Sequence, residues 1–318
     1  MFDVRSEKMR KMTLILAILV VTGSFVSAQQ AVYVSARGDE AERGLSEAKP
    51  TTFPKALAQA MEGTAKRIII LGAMDVKSNG MGKTTGGVFD FFDSVGNDKR
   101  KKALDEIVIT GKPGVTGAER AVFSAKGSGN AAVWVRNCRI RFENIDIESG
   151  EGKFGYGVYI PEGAQVTLGP GAVVRNNFSS GIFVSSGGTC VIDGGEVINN
   201  NTGVYAEGTA ALINGAIKDN TSSYGGGGVH IADGGHFTMS GGTISGNKTA
   251  TTDYYSGGGV YIDRGGRFTI SGGTITGNRA HGAGGGVFVE VGGEFEQNGG
   301  TLSRNIGQGA ASNVFREK

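Results

Sequence analysis

The chain has 318 residues, 57 of them Gly and 5 of them Pro, with 32 Lys and Arg against 30 Asp and Glu. No Gly-X-Y period runs through it, which excludes collagen, and its aliphatic residues recur too regularly for a disordered chain. The near balance of charge argues against a nucleic-acid binder, which needs a basic face.

Residues 1–28 read as a secretory signal peptide. Lys8, Arg10 and Lys11 supply a positive region, Leu14 to Val21 an apolar run, and Val26-Ser27-Ala28 a small-residue cleavage site. The apolar run is short for a membrane span. The chain from Gln29 onward is therefore expected to be exported, to a periplasm, a cell surface or the medium, with no transmembrane segment left. Cleavage removes four cations and two acids and leaves 28 of each.

Residues 29–65 are expected to form a strand and then a helix near Pro54 to Met61 that caps an apolar stack. Arg67 to Leu71 reads as the first strand of a solenoid over residues 66–313, with residues 72–103 as an insertion. The insertion carries the basic run Lys99 to Lys102, a charge run suited to a solvated loop. Glu106 to Thr110, Ala121 to Ser124, Ala132 to Val135 and Arg139 to Ile147 are strands of irregular coils, which extend to residue 156.

Over residues 157–310 one pattern recurs six times. Each copy opens on Gly and an aliphatic residue, at Gly157, Gly181, Gly203, Gly228, Gly259 and Gly286. Each closes on an Asn, usually 19 residues later, at Asn176, Asn200, Asn220, Asn247, Asn278 and Asn305. The stretch from Asn to the next Gly varies from 3 to 12 residues. A fixed core with one variable corner is the signature of stacked coils.

The copies GGVHIADGGHFTMSGGTISGN (Gly227 to Asn247) and GGVYIDRGGRFTISGGTITGN (Gly258 to Asn278) show the physics. Each holds three short runs of alternating apolar and polar residues, separated by Gly pairs. That is a strand period with tight bends. One copy cannot bury its apolar face, but copies stacked at roughly 4.8 Å can. The inward set of one coil is Val229, Ile231, Phe237, Met239 and Ile244. The expected fold is all-β: a parallel solenoid of about eight to nine coils with three short strands each. The six Asn residues are expected to form a ladder, hydrogen-bonded from coil to coil. Residues 312–318, with Val314 and Phe315, form a C-terminal tail.

These repeats resemble right-handed parallel β-helix proteins of the pectin-lyase-like superfamily. Two further stretches carry the resemblance. YVSARGDEAERGLSEAKPTTFPKALAQA (Tyr33 to Ala60) is similar to the strand, Gly, Pro and capping helix at the entry of many such proteins, and RIRFENIDIESG (Arg139 to Gly150) resembles their strand–Asn–strand coil. More loosely, the pairing of Gly-Val with aliphatic-x-x-Asn resembles repeats in chlamydial polymorphic outer-membrane proteins. The resemblance implies a fold. It does not imply one function, because this fold carries lyases, hydrolases, adhesins and scaffolds. The N-T-D, D-D, G-H-G and R-I-K motifs of the polygalacturonase-like branch are missing from this chain.

The residue between the two inward positions of each opening strand should point outward. Those residues are Tyr159, Phe183, Tyr205, His230, Tyr261 and Phe288. A solvent-facing strip of rings suits sugars, so a glycan or a cell surface is the expected partner; the other reading is stacking that stabilises the sheet. The variable corners beside it carry Tyr224, Tyr254, Tyr255 and His281, which are expected to contact ligand, corners being where solenoids bind. Catalysis has weaker support. Sugar hydrolysis needs two flanking carboxylates, and the candidates Asp233, Asp263 and Glu290, with Arg264, are scattered over turns. Asp263 and Glu290 fall at equivalent positions of adjacent coils and could share a Ca²⁺, although two ligands are few for such a site; no other cofactor or metal is expected. Cys190 falls at the inward position of Phe237 and Phe268, and with Cys138 it is expected to be a buried free thiol. Three functions remain open: a non-catalytic, adhesin-like binding protein, a polysaccharide lyase or hydrolase, and a spacer of the cell envelope.

Overall fold

The computed structural model describes residues 31–39, 41–62, 65–75, 87–92, 106–124, 131–149, 155–250, 256–307 and 313–318. The expected signal peptide, the basic run Lys99 to Lys102, and Tyr254 and Tyr255 lie outside the described residues.

The chain winds through three stacks of short parallel strands. Two stacks belong to one large sheet and the third is a nine-stranded sheet. In the first stack the inward column runs Ile68, Ile109, Phe142, Leu168, Ile192, Leu212, Met239 and Ile270, each residue in register with the next. The second stack aligns Met74, Phe123, Ile147, Val174, Val197, Ile217, Ile244 and Ile275 in the same way. In the third, Val133, Val158, Ile182, Val204, Val229, Val260 and Val287 face them. These three columns meet in one core of fully buried side chains. Burying each aliphatic side chain is worth about 1.5–3 kcal/mol, and none of it is gained until a neighbouring coil is in place.

The helix Phe53–Met61 closes the N-terminal end. Phe53, buried at its first turn, meets Phe123 edge-on at 5.6 Å between ring centres. The span expected as an insertion contains two strands of the coil itself. Ala73–Asp75 follows directly after the bend at Gly72 and pairs with Ala121–Ser124. Gly87–Phe92 pairs with Ala131–Arg136 in the nine-stranded sheet. Likewise Arg139 to Ile147 is two strands, because Asn144 turns the chain at φ 49°.

The Asn ladder is present, with one correction. Its first rung is Asn177, not Asn176. Asn177 Nδ2 donates to Asn200 Oδ1 at 2.7 Å, and the chain of amides continues through Asn220, Asn247, Asn278 and Asn305 to Asn313. The second Nδ2 proton of each rung from Asn200 to Asn305 goes to a strand carbonyl: Val174, Val197, Ile217, Ile244 and Ile275 in turn. Asn176 is exposed and sits at φ 57°. It is the residue before the rung, the place taken by Asn199, Asp219, Gly246, Gly277 and Arg304 in later coils, all at positive φ. Asn and Gly tolerate that left-handed bend best.

Candidate binding groove

The centre of the nine-stranded sheet places Trp134, Tyr159, Phe183, Tyr205, His230, Tyr261, Phe288 and Phe315 in one column. All eight point away from the central core. Successive rings lie 4.6–5.5 Å apart, and Phe183–Tyr205 and Tyr261–Phe288 are stacked within 7° of parallel. Trp134 and Phe315 extend the six expected rings at either end.

The strip is not the solvent-facing platform that alternation predicts. Its rings spend their faces on one another, and its far end is covered. Tyr261 is 7% exposed and Phe288 0%. The cover is the Gly-rich corner. A Cβ on Gly225 would stand 2.7 Å from the Tyr261 ring, and one on Gly284 would stand 2.7 Å from Cβ of Phe288. Only a residue without a side chain lets the corner lie that close.

The carboxylates expected as weak catalytic candidates hold this strip in place. Asp263 Oδ2 meets His230 Nε2 at 3.0 Å. His230 Nδ1 faces the Gly225 carbonyl at 3.2 Å, so both ring nitrogens meet acceptors. Glu290 Oε1 accepts from the Tyr261 hydroxyl, and its Oε2 from the Arg264 backbone N–H at 3.1 Å. Each acid thus reaches back to a ring of the preceding coil. The Arg264 side chain and Asp233 are exposed on turns. His281 sits on a separate corner, where its backbone N–H donates to Thr249 Oγ1 at 3.1 Å.

Near its N-terminal half the strip opens into a groove of about 680 Å³. Phe183, Tyr205 and His230 form its floor, joined by Tyr156, whose ring is 4.8 Å from Phe183. The walls come from corners. Phe178, 59% exposed, stands with Ser179 and Ser180, and Tyr224, 76% exposed, stands with Ser223. Asn201 and Thr202 lie between them. The Tyr224 wall is braced from below. Its backbone N–H donates to Ser222 Oγ at 3.1 Å, Ser222 Oγ meets Thr202 Oγ1 at 3.0 Å, and Ser223 N–H donates to Asn201 Oδ1 at 3.2 Å.

The hydroxyls of Tyr156 and Tyr205 make no hydrogen bond among the described residues. Burial, first of all, pushes both above their ordinary value, and the nearby Glu207 carboxylate adds to this. The lining therefore offers three phenols, serine and threonine hydroxyls and an amide beside exposed rings. It contains no Asp, Glu, Lys or Arg. Of the residues expected to bind, the groove gathers Phe183, Tyr205, His230 and Tyr224. It leaves out Tyr159, Tyr261, Phe288 and His281. Tyr156 and Phe178 are additions. Their sequence signals are slight: Tyr156 precedes the first opening Gly, and Phe178 follows the first true rung of the ladder.

The handedness of the coil decides its kind. Residues 156–313 match the family model described as the right handed beta helix region. The chain is a right-handed parallel β-helix. That is the fold implied by its resemblance to the pectin-lyase-like superfamily. A solved structure titled "Crystal structure of pectate lyase Pel9A" aligns with 91% of this chain and 78% of that one, at 13% identity and a TM-score of 0.47. At that level the β-helix takes nothing from it about substrate or chemistry. No curated protein sequence matches the β-helix. Among the described residues no helix is long and apolar enough to cross a membrane.

Proposed function

We propose that this β-helix is an exported, non-catalytic binding protein whose groove takes a glycan on an exported or cell-surface polymer. The observation that carries the reading is that two exposed rings, Phe178 and Tyr224, line one groove together with hydroxyl and amide groups. Exposed apolar surface of this kind is costly unless something covers it. Sugars suit it, because a pyranose has apolar C–H faces and a rim of hydroxyls. Three facts weigh against catalysis in the groove. Its lining has no carboxylate, whereas glycoside hydrolysis uses two. Asp263 and Glu290 are occupied by His230 and Tyr261. Both ring nitrogens of His230 already face acceptors, the Gly225 carbonyl and the Asp263 carboxylate.

The test is calorimetric titration of the purified protein with a panel of soluble polysaccharides, with depolymerisation followed on the same panel. Binding that is lost in a Phe178→Ala/Tyr224→Ala variant supports the reading. Release of shorter sugars by the wild type would sink the non-catalytic part of it. Binding unaffected by the double variant would move the site elsewhere on the coil.

A further inference from the structure

A glycan reading leaves open which glycans, and charge narrows them. Between Tyr156 and His230, the stretch that builds the groove, the chain carries two cations and five acids. The cations are Arg175 and Lys218; the acids are Glu162, Asp193, Glu196, Glu207 and Asp219. Both cations are already paired. Arg175 meets Asp146 at 3.0 Å and Lys218 meets Glu196 at 2.9 Å, and neither lines the groove. The imidazole in the floor, His230, already has the Asp263 carboxylate at 3.0 Å. Glu207 follows directly after the strand Val204–Ala206 that carries Tyr205, and its charge is felt at both Tyr156 and Tyr205.

We propose that the groove takes chains of uncharged or amine-bearing sugars and turns polyuronates away, an inference that rests on the glycan-binding reading above. A uronate chain brings one carboxylate per sugar into a groove whose lining, among the described residues, holds no Lys or Arg, and whose rings already lie near the Asp263 and Glu207 carboxylates. Desolvating such a charge without a partner is unfavourable. A neutral sugar avoids that cost. An ammonium group gains from the same acids, and from the exposed ring faces of Phe178 and Tyr224, which attract cations.

The experiment compares oligosaccharides of equal length that differ in charge: an oligomer of glucosamine, its fully N-acetylated form, and an oligogalacturonate. Each is titrated calorimetrically into the purified protein, at low and at high salt and at a pH where the amines are charged. The expected order is amine at least as tight as neutral, with the uronate about tenfold or more weaker, a gap that narrows as salt screens the acids. Glu207→Gln should reduce the advantage of the amine and leave the neutral oligomer unchanged. Uronate binding as tight as the neutral oligomer overturns this inference and leaves the glycan reading standing. Failure of all three to bind removes the glycan reading, and this inference with it.

Discussion

Asn247 donates from Nδ2 to Asn278 Oδ1 at 2.9 Å, one coil further on, and to the Ile217 carbonyl at 2.9 Å. Its own Oδ1 accepts from both the backbone and the side-chain nitrogen of Asn220, at 3.1 and 2.9 Å. Four bonds pass through one fully buried amide. Replacing it with Ala orphans donors and acceptors that water cannot reach, at about 1–3 kcal/mol each. Asn247→Ala should therefore destabilise the β-helix by roughly 3 kcal/mol or more. Asn176→Gly should have no such cost, since Asn176 supplies only a left-handed bend that Gly adopts freely. Urea unfolding midpoints of the two variants separate the rung from the bend, and a larger loss for Asn176→Gly would contradict the ladder described.

The ladder also shows what the sequence could reveal. The repeat places Asn at a corner of every coil, and the last four copies offer only one Asn there. Asn176-Asn177 offers two, and a spacing of 19 residues selects the wrong one, because the first coil is a residue longer. The inward columns were legible in the regular repeats, since alternation over three strands leaves one face to bury, but Met74 lay in a span that read as an insertion. The groove was not. Phe178 and Tyr224 belong to corners of different coils, and nothing local says that they line one groove. The cover over Phe288 was equally hidden, because it depends on how close a Gly corner lies to the ring of a neighbouring strand.

That cover can be tested at Gly225. A methyl group there meets the Tyr261 ring 2.7 Å away, closer than non-bonded carbon atoms tolerate, so ring or corner must move. Gly225→Ala should cost about 1–3 kcal/mol, as overpacking does. It should also change near-UV circular dichroism as Tyr261 shifts. A native spectrum and an unchanged midpoint would mean that the corner does not rest on the ring.

The tyrosines of the strip set an alkaline limit on stability. Tyr156, Tyr205 and Tyr261 all ionise above the ordinary value of 10.0, chiefly through burial, and in Tyr261 also through its hydrogen bond to Glu290. A raised folded-state value means that the native state keeps a proton the unfolded chain gives up. The stability these groups contribute is complete below pH 10 and is lost as pH rises beyond it. The urea midpoint should fall above about pH 10, and Tyr261→Phe should make the fall shallower. A midpoint flat from pH 9 to 11 would show that these phenols ionise as freely in the fold as outside it.

Cys190 offers a probe of the core itself. It is fully buried in register with Val166 and Ala210, and burial alone pushes its thiol up to about 12. The thiolate is the reactive form, so at neutral pH both its ionisation and its enclosure protect it. Cys138, also buried, shares the enclosure. A chromogenic disulfide reagent should label neither thiol in the native β-helix and both in urea. Their labelling rates in intermediate urea should differ if the coils open separately, because in a solenoid each coil is held mainly by its neighbours. Rapid native labelling of Cys190 would mean that the stack between the Val166 and Ala210 strands opens far more readily than its unbroken core implies.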